Sequence, residues 1–76
     1  MTRQTQKMLN ELLLEEYKRK NKISSSLKLG TFGFWVAQGY RPRKGEPAKH
    51  NCKLWTRNGL VSCWLWSEKQ VDKIEN

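Results

Sequence analysis

CKLWTRNGLVSCWLW, residues Cys52 to Trp66, is the stretch that decides how this chain folds. Asn58-Gly59 at its centre is a strong short hairpin signal, because a type I′ turn needs positive φ at both central residues. Folding the arms about that turn sets Arg57 opposite Leu60, Trp55 opposite Ser62, Leu54 opposite Cys63, Lys53 opposite Trp64 and Cys52 opposite Leu65. Side chains alternate between faces along a strand. One face then carries Cys52, Leu54, Thr56, Val61, Cys63 and Leu65, an apolar layer suited to a core. The other carries Lys53, Trp55, Arg57, Leu60, Ser62, Trp64 and Trp66. Cations interleaved with indoles suit single-stranded nucleic acid, since any base stacks on an indole and the phosphates seek positive charge. Tryptophan is also a core residue, and Trp64 or Trp66 can lie beneath a helix with lysine stems over the edges. At least one of the three hairpin tryptophans is expected inside. Trp55, flanked by Lys53 and Arg57, is the foremost stacking candidate, with Trp64 and Tyr40 behind it.

Working outward, 76 residues make one small domain, close to the lower size at which a core sustains a fold unaided. The expected class is α+β, over residues 1–76. Met8, Leu9, Leu12, Leu13 and Tyr17 recur at helical spacing, which predicts a long amphipathic helix over 1–22. Thr2 can cap its start, and Glu15–Arg19 and Glu16–Lys20 are favourable i,i+4 pairs. Residues 23–30 read as a linker. Residues 31–38 alternate like a strand at Phe32, Phe34 and Val36, yet Thr31 and Gly39 can bound a short helix there. Residues 40–49, with two prolines, Gly45 and four cations, read as a basic loop. Ser67 with Gln70 forms a capping-box pattern, which predicts a last short helix over 67–75.

Charge narrows the partner. The net charge is +8, and between Tyr17 and Trp66 the only acid is Glu46, against eleven lysines and arginines. A basic middle points to a polyanion, and the aromatics within it favour nucleic acid over an anionic membrane. In the 40–49 loop, Pro42 holds Arg41, Arg43 and Lys44 extended, and Gly45 allows close backbone approach to a phosphate. Part of the run Lys18, Arg19, Lys20 and Lys22 is explained by the helix C-terminus, where cations complement the dipole. Lys49, Lys53 and Arg57 complete the expected phosphate-binding set.

Other chemistries have little to work with. His50 is the single histidine, and Cys52 and Cys63 the only cysteines, so a four-ligand zinc site is not expected. Two thiols on a core face read as small buried hydrophobes. Neither a catalytic constellation nor a cofactor is expected in so small a chain, and the protein reads as a non-enzyme. No apolar run reaches the length of a membrane span, and the first residues lack a signal peptide's pattern, so a cytoplasmic location is expected.

Thr31-Phe32, then Gly39, then Arg43-Lys44-Gly45-Glu46, then a strand ending Leu54-Trp55, resembles the N-terminal domain of ArdC-type antirestriction proteins. The resemblance runs from Leu29 to Val71 and includes a second strand leading into a glutamine, as Val61 to Gln70 does here. It implies a helix at 31–38 and binding of single-stranded DNA. Two features depart from that family: no His-Glu-x-x-His metallopeptidase motif is present, and the two strands are joined by a tight turn. The resemblance therefore implies an accessory protein of a phage or other mobile element. The alternative expectation is an interaction subunit, whose tryptophan face docks on a DNA polymerase, primase or other DNA-processing enzyme. A duplex-binding regulator is disfavoured, for want of a helix-turn-helix pattern.

Overall fold

The computed structural model describes residues 2–75; the expected first helix and the domain limits touch Met1 and Asn76, which lie outside the described residues. The fold is a small α+β domain with a long N-terminal helix and antiparallel sheets. Helix α1 spans Arg3–Lys20, and the Thr2 hydroxyl accepts from the Thr5 N–H at its start. Of the two expected i,i+4 pairs, Glu16–Lys20 closes at 3.1 Å, and both side chains are exposed. The helix stops short of residue 22 because Lys22 takes the left-handed conformation, φ 56°.

Strand β1 (Leu29–Gly30) precedes helix α2 (Phe32–Ala37), and strand β2 covers Tyr40–Pro42. Strands β3 (His50–Thr56) and β4 (Gly59–Ser67) form the central hairpin. A 3₁₀ turn at Glu68–Gln70 then leads into strand β5 (Val71–Lys73). The sheet order is β1-β4-β3, and a separate ribbon pairs β2 with β5. Thr31 caps α2 through the Phe34 N–H, and Gly39 ends it at φ 87°, a conformation glycine adopts without a Cβ penalty. The helix expected at 31–38 is therefore present, one residue shorter at each end.

Three expectations are corrected. The hairpin register is displaced by two residues: Cys52 lies opposite Cys63, Leu54 opposite Val61, Trp55 opposite Leu60 and Thr56 opposite Gly59. Only Gly59 takes positive φ (93°) while Asn58 does not, so a type I′ turn centred on Asn58-Gly59 does not form. A displacement of two preserves side-chain parity, and both faces keep the expected membership except Arg57, which moves to the turn. Second, residues 67–75 are not a helix. The Ser67–Gln70 capping box does form, but Val71 onward is drawn out as β5, opposite Pro42, Arg41 and Tyr40. Third, the 40–49 segment is a loop only from Arg43, since its first three residues are β2.

The core lies between α1 and the hairpin. Leu29, Cys52, Leu54 and Leu65 are buried together, with Leu13, Leu14, Tyr17, Ile23 and Leu27 packed against them. Burial pushes the Cys52 thiol above its ordinary range, helped by the nearby Cys63 and then Glu16, so it stays protonated near neutrality. The helix is rotated relative to the expected stripe, for Met8 and Leu12 are exposed and Leu14 faces inward. The cause is Asn10. Its side chain accepts from the Trp55 N–H at 2.7 Å and donates to the Trp55 carbonyl at 3.1 Å, while Gln6 donates to the same carbonyl. The helix thus closes the outer edge of β3 as a neighbouring strand would. Asn10→Ala leaves the Trp55 N–H without its partner, and an expected loss of about 1–2 kcal/mol should register in urea denaturation.

Candidate nucleic-acid interface

The uncovered face of the hairpin carries Lys53, Trp55, Leu60, Ser62 and Trp64, and no acid lies among them. Trp64 is 60% exposed, the most open large hydrophobic side chain among the described residues. It sits opposite Asn51 and diagonal to exposed Lys53. Trp55 is half-buried on the same face, its backbone fixed by Asn10 and Gln6. Trp66 shares the face but is closed off. Its indole N–H donates to the Glu46 carbonyl at 3.0 Å, and Phe32 packs edge-on against the ring. The buried tryptophan is Trp35 of α2, not one of the hairpin three, and its indole N–H donates to the Trp66 carbonyl at 2.9 Å. Trp64 therefore displaces Trp55 as the more open candidate on this face. Sequence parity placed both on one face, but which ring α2 and its neighbours cover depends on tertiary packing.

The expected cations separate into three groups. Lys49 and Lys53 lie beside the Trp64 end of β3, and Arg57 sits at the turn, roughly 20 Å of strand from the His50 end. Arg41 and Lys44 belong to the β2 ribbon and the turn that follows it. Lys44, Lys49, Lys53 and Arg57 are exposed and form no ion pair among the described residues. Arg41 is exposed opposite Asp72, and the ring of Tyr40 lies edge-on to Trp35, at 5.9 Å between centroids.

Arg43 differs from the others because its guanidinium is already engaged. Nε donates to Asp72 at 3.0 Å, Nη2 donates to the Lys69 carbonyl at 2.7 Å, and Nη1 lies 3.9 Å from Glu46. Glu46 in turn accepts from the buried Gln70 amide, which also donates to the Pro47 carbonyl and accepts from the Ser67 N–H. Arg43, Glu46 and Gln70 thus tie the turn to the end of β4. Arg43→Ala is expected to lower stability by about 1 kcal/mol in a thermal melt, the side chain being part-exposed. It should leave polyanion affinity no more changed than Lys44→Ala does.

Among the described residues no cluster of histidine, cysteine, aspartate or glutamate could hold a metal, and no helix is long and apolar enough to cross a membrane. The Tyr17 hydroxyl meets His50 Nδ1 at 3.2 Å with the rings edge-on, a packed pair beside the core. No protein-family model, curated protein or solved structure was found to match the chain.

Proposed function

We propose that the protein binds single-stranded DNA on the open face of the β3–β4 hairpin. Trp64 stacks on a base, Trp55 supports a second, and Lys49, Lys53 and Arg57 attract the phosphates. The exposure of Trp64 on an acid-free sheet face beside Lys53 carries this reading, because an open indole costs hydration unless a flat partner covers it. Arg41 and Lys44 extend the positive field beyond the face without contributing a ring. Arg43 drops out as a phosphate ligand in this reading. The likeness to the ArdC-type N-terminal domain supports the same partner, and with it a role as an accessory protein of a phage or mobile element.

Gel-shift titrations with matched single-stranded and duplex oligonucleotides at several salt concentrations test the proposal. Binding should favour the single strand and weaken as salt rises, since bound lysines and arginines release counterions. Equal affinity for both forms would remove the stacking component.

A second reading has its own support. Met8 and Leu12 are 56% and 58% exposed on α1, away from the tryptophan face. An apolar stripe on a helix suits docking on a DNA polymerase, primase or related enzyme. The two surfaces are distinct, so one protein can serve both.

A further inference from the structure

A groove on the other side of the sheet leads to a separate binding site. It encloses about 620 Å³ between α1 and the β1–α2 junction. Leu14, Leu29, Leu54 and Leu65 contribute its aliphatic lining, and Phe34 stands at one wall. Phe34 rests directly over Gly30, where any Cβ would overlap its ring. Around the apolar lining stand Arg3, Lys7, Lys18 and Lys28, with Glu11 among them and the Glu68 carboxylate accepting from the Lys28 N–H beside them.

An unpaired strand edge belongs to the same part of the molecule. The Trp55 N–H and carbonyl point away from β4 to meet Asn10, so the Trp55–Leu60 pair is not hydrogen-bonded across the hairpin. By the alternation of an antiparallel ladder, Leu60, Ser62 and Trp64 direct their backbone groups to the far edge of β4. Strand β1 uses that edge opposite Trp66 and Ser67, where the Trp35 indole of α2 also reaches the Trp66 carbonyl, and among the described residues no strand pairs with the remainder.

We propose that this edge and groove together bind an extended acidic peptide segment of a partner protein. The segment adds to β4 beyond β1, its backbone pairing with Leu60, Ser62 and Trp64. Alternate apolar side chains enter the groove, and its carboxylates meet Lys7, Lys18, Lys28 and Arg3. The lining is mostly aliphatic, with Phe34 and Trp55 at its margins, which suits leucine or valine side chains, and the cationic rim selects an acidic segment.

A fluorescein-labelled peptide alternating glutamate and leucine is the probe, with fluorescence anisotropy as the readout and amide NMR shifts on the protein. The peptide is expected to bind and to move the Leu60, Ser62 and Trp64 amides. The double variant Lys7→Glu, Lys28→Glu should weaken it by about tenfold, as loss of two partly exposed charge contacts implies. Methylating the peptide's pairing backbone nitrogens should weaken it as well. Lys53→Ala lies on the tryptophan face, outside the groove and its edge, and should leave peptide binding in place while oligonucleotide binding falls, which separates this site from the one proposed above. The inference is overturned by no binding, or by equal binding of a lysine–leucine peptide or of the methylated peptide. It is also overturned if an oligothymidylate displaces the probe and moves the same three amides, or if those amides are covered by self-association of the protein.

Discussion

Leu65→Ala should remove a large part of this protein's stability, about 2–5 kcal/mol. Among the described residues Leu65 is the one large side chain with no exposed surface, lying towards the end of β4 in the cluster with Leu29, Cys52 and Leu54. Truncation removes the transfer free energy of the buried carbons and leaves a cavity that β4, held between β3 and β1, cannot easily close. Domains of this size are stable by only about 4–11 kcal/mol on a per-residue scale, so the loss is a major fraction of the whole. A thermal melt should show the midpoint falling by about 8 °C or more. An unchanged midpoint would mean that the core does not centre on Leu65. The neighbouring Cys52 and Leu54 are each slightly exposed and should tolerate truncation better.

Trp64→Ala should cost about 1–3 kcal/mol of single-stranded DNA affinity, which is roughly 5- to 150-fold in Kd. The side chain is mostly open, and its indole N–H donates to no group among the described residues, so folding should be almost untouched. Trp66→Ala gives the opposite pattern. It breaks the bond to the Glu46 carbonyl and the packing on Phe32, and should destabilise without a specific binding loss. Measuring affinity and melting midpoint on both variants separates stacking from packing. A Trp64→Ala protein with wild-type affinity would remove the central contact of the proposed interface.

Much of this architecture is legible in local sequence, because caps and face parity are local. Thr2, Thr31 and Ser67 with Gln70 mark their termini, and Gly39 stops α2 where a left-handed residue is needed. The two hairpin faces also follow from alternation, even though the pairing register is displaced by two. What escapes the sequence is set by distant partners. Val71 leaves the helical path because β2 offers a strand to pair with, some thirty residues earlier in the chain. Asn10 turns α1 on its axis because the bare edge of β3 needs a donor and an acceptor. A polar residue between Leu9 and Glu11 gives no local sign of that role. Arg43 reads as a free cation until Asp72 and the Lys69 carbonyl fold back onto it.

The candidate site divides in the same way. Its face and its lysines follow from the sequence, but the ranking of the tryptophans does not. Trp35 and Trp66 are drawn into hydrogen bonds with backbone carbonyls, while Trp64 projects from the face they leave open.

That difference supplies the most direct test. The four tryptophans give separate indole N–H signals in a nitrogen-edited NMR spectrum, and a short oligothymidylate can be titrated against them. If the hairpin face binds the strand, the Trp64 signal should move furthest and Trp55 next. Trp35 and Trp66, fixed internally, should stay close to their starting positions. A titration in which Trp64 stays still while the oligonucleotide binds, or in which nothing binds, would contradict the account.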